Sequence, residues 1–311
     1  MHDDYLSLSA ILKTTMPTDV RLGGSLIPSV SSTFIKAIVD NSGFLKKVTL
    51  DTTNKLTKIR ETPDGLEGVL VRHMPGEAPD SNQHASLGVV GAKLDMTNTI
   101  QLNAKITQET LDDNTDNPNF EKEQSDGFSV TFANDLVHLG FVGIADNPAK
   151  NAPFNELAKG WLTVASESAD TVKATYPLGI TDAGLRVATA LKVTYDEIHD
   201  DIKDSAAIIL SKRDYHAYIY YVQEKHLNTA LLANGELLKF MGIELDPQKY
   251  MPIGTYLGTP INNMVFGAVK KIGRVRWYND EESALKYKFG INCDYEFDIK
   301  KYVTLVTESL V

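Results

Sequence analysis

Residues 51–98 constrain the fold more than any other part of the chain, because they are polar, rich in turn residues and carry only scattered apolar side chains. A stretch of this length without a core of its own is uncommon inside a compact domain. Two interpretations remain open: disorder, or a long hairpin that leaves the body and rests on a neighbouring molecule. In the hairpin, the candidate rising strands are 55–60 and 68–74, with turns at 63–65 and 75–76.

Composition places the chain among globular proteins. Of its 311 residues, 42% are hydrophobic and 23% are charged, which is enough for a substantial core in one elaborated domain or two ordinary ones. The formal net charge of −10 argues against nucleic acid as a tightly held ligand. The one cysteine, Cys293, excludes an internal disulfide and a cysteine-rich zinc site, and we expect a buried thiol. We expect a cytosolic origin and no membrane, because a secretory signal and a membrane-length apolar run are both lacking.

Apolar periodicity predicts a mixed α+β chain without a regular βαβ succession. Residues 1–28 are interpreted as an extended arm, and residues 109–126 as an acidic connection. Helices are predicted at 31–43, from Asp126 onward, at 182–199 and after a capping pair formed by Ser211 and Asp214. Strands are predicted at 44–50, 99–107, 205–210, 262–278 and 285–306.

The stretch Asn147 to Leu162 holds two prolines, a glycine and one of the two tryptophans. Helical spacing predicts one continuous helix here, with an apolar face made of Phe154, Leu157, Ala158, Trp161, Leu162 and Ala165. Gly160 is a misfit, because glycine costs about 1 kcal/mol relative to alanine inside a helix. Either the helix frays at Gly160 or another backbone comes close. From the residues alone, a catalytic loop, a ligand pocket and a piece of scaffold all remain open.

No motif for catalysis, metal or cofactor emerges, and we expect none of the three. The acidic clusters at 2–4, 112–117 and 199–201 lack the spacing of known metal loops. Nucleophile-elbow and phosphate-loop patterns are missing from the sequence. One basic patch, Lys270 to Arg276, lies beside Trp277 and Tyr278. It is interpreted as a solvent-facing strand or a surface for an acidic neighbour, with nucleic-acid contact as the alternative.

Residues 141–162 resemble a signature of the major capsid proteins of tailed bacteriophages in the P-two-like group. The matching residues are Phe141, Gly143, Asn155, Gly160, Trp161 and Leu162. Upstream, residues 42–50 look like the strand after the N-terminal helix in that family, and Thr110, Leu111 and Asp112 match its Thr-Leu-Asp motif. The resemblance covers about residues 30 to 165, and beyond them it rests on the order of elements.

The resemblance implies the Hong Kong 97-type capsid fold, an α+β fold with four named parts. They are an N-terminal arm, an extended hairpin called the E-loop, a peripheral domain with a long spine helix, and an axial domain. The implied ranges are an arm and helix at 1–50, the E-loop at 51–98, the peripheral domain at 99–175 with its spine helix at about 126–145, the axial domain at 176–269 and returning C-terminal strands at 270–311.

The implied function is structural, not enzymatic. Hexamers and pentamers would assemble in the host cytoplasm into the icosahedral head shell of the virion. The partners implied are further copies of the chain, reached through the arm and the E-loop, together with scaffold, portal and decoration proteins and non-specifically contacted double-stranded DNA. Two alternatives remain: an encapsulin-like compartment of the same fold, and a soluble metal-dependent enzyme.

Overall fold

The computed structural model describes one isolated residue and five stretches of the chain: 39, 42–63, 89–117, 119–225, 239–269 and 273–308. The predicted arm, nearly all of the helix predicted at 31–43, the candidate strand at 68–74 and the turn at 75–76 lie outside the described residues. Lys270 and Lys271 of the basic patch also lie outside them.

The first sheet carries the main core of the molecule. Its strands follow the order β1-β10-β12-β11, and β4 also pairs with β12. Their bounds are β1 Thr49–Thr53, β4 Thr99–Thr107, β10 Met264–Val269, β11 Gly273–Asn279 and β12 Ala284–Phe297. The predicted strand at 99–107 is confirmed, since Ile106 is buried and the other apolar residues of β4 are half-buried while the residues between them are exposed.

A long helix packs against this sheet through aromatic and aliphatic side chains. Helix α2 spans Phe120–Val142 and follows the short helix α1, Gln108–Asp113. The ring centroids of Phe128 and Tyr287 lie 6.0 Å apart, and those of Phe132 and Phe289 lie 6.4 Å apart. The third helix, α3, spans Trp161–Glu167 and joins the same core.

The second sheet forms a separate core with two helices. Its order is β5-β13-β9-β6-β8-β7. The bounds are β5 Val172–Tyr176, β6 Ala207–Ser211, β7 Lys239–Phe240, β8 Ile243–Gln248, β9 Tyr256–Thr259 and β13 Thr304–Glu308, with helices α4 Ala183–Glu197 and α5 Lys212–Glu224. The predicted capping pair is confirmed: Ser211 Oγ accepts from the main-chain N–H of Asp214 over 3.0 Å and donates to its carboxylate over 2.9 Å.

A two-stranded hairpin connects β1 with β4. Strand β2, Thr57–Pro63, pairs antiparallel with β3, Val89–Asp95. The candidate strand at 68–74 lies outside the described residues, so its pairing with 55–60 stays a prediction. Residues of β3 such as Ala92 and Leu94 are buried, so packing of β3 against the body, and not proximity in sequence, selects the partner of β2.

Three predicted boundaries are also corrected. The strand predicted at 44–50 begins only at Thr49, because Phe44 and Leu45 lie in a turn that Ser42 caps through its Oγ. The acidic connection predicted at 109–126 contains α1 and the first turns of α2. The long helix therefore starts earlier than Asp126, and it ends at Val142 because Gly143 adopts an extended backbone (φ −66°, ψ 123°).

The helix predicted from Phe154 to Ala165 is interrupted. A single 3-10 turn spans Phe154–Glu156, and α3 begins only after Gly160, whose backbone is extended (φ −89°, ψ 172°). Phe154 is 38% exposed, so its predicted place on a buried face is wrong. Trp161 and Ala165 are fully buried as predicted.

Candidate functional site

Trp161 is the centre of the junction between α2, α3 and the first sheet. Its side chain is fully buried, and its indole Nε1–H donates to the carbonyl oxygen of Val265 over 3.1 Å. Its ring lies 4.9 Å from Tyr295, 5.7 Å from Phe141 and 5.9 Å from Phe44, measured between centroids and with edge-on geometry in each case. Edge-on aromatic pairs contribute beyond their buried area, so this ring fixes how the helices sit on the sheet.

Glycines allow the chain after α2 to return against the end of that helix. The N–H of Gly160 donates to the carbonyl oxygen of Gly143 over 2.9 Å. A Cβ at Gly160 would lie 2.5 Å from the carbonyl oxygen of Gly140, and one at Gly143 would overlap the carbonyl of Ala158. A Cβ at Gly140 would overlap the ring of Trp161. The neighbouring backbone predicted against Gly160 is therefore present.

Asn155 closes the loop between α2 and α3 through its main chain. Its carbonyl oxygen accepts from the N–H of Ile144 over 2.7 Å. In the same loop, Asn147 donates two hydrogen bonds to Glu156. Its main-chain N–H donates to the carbonyl oxygen over 2.8 Å, and its side-chain amide donates to the carboxylate over 2.7 Å. Leu162 is half-buried against the main core. The six residues of the predicted signature thus lie at one junction, where they pack or form hydrogen bonds.

An ion-pair cluster that sequence reasoning missed holds the hairpin to the body. Lys58 Nζ bonds to both carboxylate oxygens of Asp51 over 2.7 and 2.8 Å, and Arg60 Nη1 bonds to Asp51 Oδ2 over 2.7 Å. Arg60 also forms a two-point contact with Asp298, over 2.6 and 3.0 Å. We call Asp51, Lys58, Arg60 and Asp298 the ion-pair cluster. Planar two-point contacts of this kind fix orientation as well as adding free energy.

The ion-pair cluster resists protonation in acid. Burial alone would raise the pKa of Asp51, but hydrogen bonds from Lys58 and Arg60 and their charges lower it below its usual value of 3.8. A carboxyl with a lowered pKa contributes stability that is present above its unfolded pKa and is lost as the pH falls through the folded one. The cluster therefore persists to a lower pH than an isolated carboxylate would.

Apolar contacts complete the base of the hairpin. Leu94 and Met96 pack with Val265 and Val269 in a small separate core. A Cβ at Gly267 would lie 3.0 Å from Leu94, so this glycine leaves room for it. We call residues 94–98, where β3 ends and the chain turns into β4, the foot of the hairpin.

Replacing Arg60 by alanine is expected to weaken attachment of the hairpin by about 3 kcal/mol, the low end of the cost of removing one partner from a buried ion pair. The cost is at the low end because Arg60 remains 23% exposed while Asp51 is only 5% exposed. Hydrogen exchange of the amides of β2 and β3 measures it. Lys93→Ala is the matched control: its pair with Asp95 spans 3.8 Å between exposed side chains, so about 0.5 kcal/mol or less is expected. Equal effects of the two variants would contradict a role for the cluster.

Metal ligands, membrane-spanning helices and a reactive thiol were each sought among the described residues. Among the described residues, no group of three histidine, cysteine or acidic side chains could hold a metal ion. Within the same ranges, no helix is long and apolar enough to cross a membrane. Cys293 is buried in β12, and burial raises the pKa of its thiol, as expected for an inert side chain. Arg276 of the predicted basic patch is half-buried.

This chain is similar to known proteins in its three-dimensional structure. Neither protein-family models nor curated protein sequences match this chain. Among solved structures, a chain of the procapsid of satellite phage P4, determined with the size-determination (Sid) protein, has a TM-score of 0.68 at 16% identity and covers 97% of both chains. The chain has the Hong Kong 97-type capsid fold.

Two further structures extend the range of this likeness. The capsid of the native GTA particle has a TM-score of 0.58 at 11% identity, covering 87% of this chain and 91% of that one. The virus-like particle from Pyrococcus furiosus has a TM-score of 0.56 at 8% identity, covering 88% and 96%. At identities this low, the likeness to these structures lies in the path of the backbone and not in the identity of the side chains. The fold includes the C-terminal half, where the sequence resembled the family only in element order.

Proposed function

We propose that the chain is the major capsid protein of a tailed bacteriophage, assembling as hexamers and pentamers into the icosahedral head shell around packaged DNA. The observation that carries the proposal is the likeness to the P4 procapsid chain over 97% of both lengths. This likeness extends over nearly all of the chain, including its C-terminal half. The protein would then act in the virion and be assembled in the host cytoplasm, with no catalytic role.

The same proposal assigns residue ranges to the parts of the fold. Residues 1–50 are the arm and its helix, 51–98 the E-loop, 99–175 the peripheral domain, 176–269 the axial domain and 270–311 the returning strands. Helix α2 is then the spine helix, and α4 and α5 belong to the axial domain. The described hairpin β2–β3 is the base of the E-loop.

Exposure of the hairpin supports contact with another copy. A two-stranded hairpin is marginally stable by itself in water. Here Ile59 is 63% exposed and Leu56 is 49% exposed, so apolar surface projects from an element with little core. Burial of such surface stabilises an interface by roughly 25 cal/mol per Å², and a neighbouring protomer is the partner that a shell provides. The arm would contribute in the same way, while scaffold, portal and decoration proteins and non-specifically held DNA are further partners of the proposal.

Electron microscopy of the expressed protein tests the proposal directly. Closed shells or capsomers of uniform size are expected across a range of protein and salt concentrations. Monomers under every assembly condition, in a sample that is folded by circular dichroism, would contradict it. An encapsulin-like compartment is the second candidate, favoured by the likeness to the Pyrococcus furiosus particle. A cargo protein that co-purifies with the shells in place of phage DNA and scaffold would decide for it.

Replacing residues 64–88 by an Asn-Gly turn tests the E-loop assignment. This change keeps β2 and β3 and joins them by a turn that suits two-residue hairpins. The protomer is expected to keep its melting temperature, since both strands of the hairpin and their contacts with the body remain. The yield of shells is expected to fall at least roughly tenfold, which corresponds to about 1.4 kcal/mol of lost contact. Calorimetry and sedimentation velocity measure the two quantities. Normal shells from this variant would remove the E-loop assignment without affecting the fold.

A further inference from the structure

An acidic groove of about 360 Å³ opens between the foot of the hairpin, the loop after α2 and the C-terminal half of β12. Charged side chains line it from every element that borders it: Asp95 on β3, Asp146 and Lys159 in the loop, Glu167 on α3, Asp294 and Glu296 on β12, and Lys300 in the 3-10 turn that follows. Five carboxylates therefore share one groove with two lysines.

The two lysines are each paired with a carboxylate of the groove. Lys159 Nζ lies 2.7 Å from Glu167 Oε2, and Lys300 Nζ lies 3.3 Å from Glu296 Oε1. The side chain of Asp146 accepts from the amide of Asn98 over 2.6 Å, which ties the foot of the hairpin to the loop after α2.

Asp294 is the member of the groove that holds the foot to the sheet. Its Oδ2 accepts from the main-chain N–H of Asp95 over 2.7 Å, and its Oδ1 accepts from its neighbour Tyr295 over 2.9 Å. Asp95 ends β3, and the next residue, Met96, is fully buried in the small core under the hairpin. Any separation of the foot from β12 breaks the first of these bonds and exposes the half-buried Asp294 further to water.

We propose that Asp294 makes the foot of the hairpin pH-sensitive, holding it against β12 more tightly when the carboxyl is neutral than when it is ionised. A neutral carboxyl still offers an oxygen to the N–H of Asp95. Ionisation adds a negative charge beside Asp95 and Glu296 in a groove where burial penalises it. The proposal concerns the folded chain alone and does not depend on shell assembly.

The direction of the pH effect follows from proton linkage. Burial raises the pKa of Asp294 from 3.8 to about 7. Hydrogen bonds from the main-chain N–H groups of Asp95 and Tyr295 lower this pKa, while the charges of Glu296 and Asp95 raise it. Burial raises the pKa of Glu296 as well, with the same sign. When the foot opens, Asp294 returns to its ordinary pKa in water. The closed foot therefore holds more protons between about pH 4 and 7, so closure weakens as the pH rises through this window and levels off above it.

Hydrogen exchange of the unassembled chain tests the proposal. The probes are the amides of Asp95 and Met96, measured at pH 5, 6, 7 and 8 and corrected for the intrinsic pH dependence of exchange. Protection is expected to fall by on the order of tenfold per pH unit up to about pH 7 and then to stay level. In Asp294→Asn, which keeps an oxygen acceptor but cannot ionise, the dependence is expected to be nearly flat. The same steep fall in this variant, or protection that rises with pH in the wild type, would overturn the proposal.

Two controls separate this effect from general acid stabilisation. Asp112→Asn removes an exposed carboxylate on α1 and is expected to leave the pH dependence at Asp95 and Met96 unchanged. Amides of β6 in the second core, such as that of Ile208, report global unfolding, and stronger protection there than at Asp95 and Met96 is expected because the foot opens without unfolding of the whole chain. Should Asp294→Asn fail to fold, carbon-13 titration of the wild-type Asp294 carboxyl decides instead: a midpoint near 7 supports the proposal, and one at the ordinary value for aspartate refutes it.

Discussion

Replacing Trp161 by alanine is expected to lower the free energy of unfolding by about 3 to 5 kcal/mol, the usual cost of removing a buried aromatic side chain. The cavity would lie between Phe44, Phe141 and Tyr295, and the carbonyl oxygen of Val265 would lose its donor. Proteins are stable by only about 5–15 kcal/mol in total. Much of the chain would therefore be unfolded or insoluble at 37 °C.

Urea denaturation of the purified variants measures this loss. Trp277→Ala is the matched control, because Trp277 is the other tryptophan and is only half-buried on β11. Its replacement is expected to cost clearly less, since less apolar surface leaves the core. A Trp161→Ala protein with wild-type stability, or one less affected than Trp277→Ala, would contradict the central place of this ring.

Replacing Gly160 by alanine is expected to cost about 3 kcal/mol, the upper end of the range for overpacking. The backbone of Gly160 is extended and suits alanine, so the cost is steric and not conformational. The new Cβ would lie 2.5 Å from the carbonyl oxygen of Gly140 and 2.7 Å from that of Leu139. These atoms belong to the last turns of α2, where Leu139 also accepts the N–H of Gly143 over 2.8 Å, so they cannot move away cheaply.

Gly127→Ala, in helix α2, is a control for which the opposite change in stability is expected. Nothing lies within 4 Å of a Cβ added at Gly127. Alanine is favoured over glycine inside a helix by about 1 kcal/mol, so this variant is expected to be more stable than the wild type. Thermal melts of both variants measure the difference. If Gly160→Ala were neutral or stabilising, the close approach of the two backbones would not be a constraint on this chain.

Local patterns of the sequence predicted the elements that depend on near neighbours. Strand β4, the capping pair of Ser211 and Asp214, and helix α4 each follow from residues within a few positions of one another. The resemblance at residues 141–162 predicted the fold, and it selected the six residues that lie at the Trp161 junction. Their roles came from the structure, since no local pattern shows that Asn155 acts through its carbonyl oxygen.

Contacts between distant residues were beyond prediction from the sequence. Arg60 and Asp298 are 238 positions apart, and neither belongs to a motif that would link them. The pairing of β2 with β3 was not predicted for the same reason, because a strand pairs with whatever the core brings beside it. The continuous helix predicted from Phe154 failed because a helical turn at Gly160 would be incompatible with the backbone that returns against α2.

By itself, the sequence determined the alternation of β4, the periodicity of the helices, their caps and, through a resemblance, the fold. Each of these depends on the chemistry of residues that are close along the chain, where spacing and geometry are linked. The tertiary structure alone decided which strands pair, which carboxylates meet in the acidic groove, and that Asp294 accepts the main-chain N–H of Asp95 there. These properties depend on burial and on charges brought together from distant positions, and the spacing of residues along a chain does not encode them.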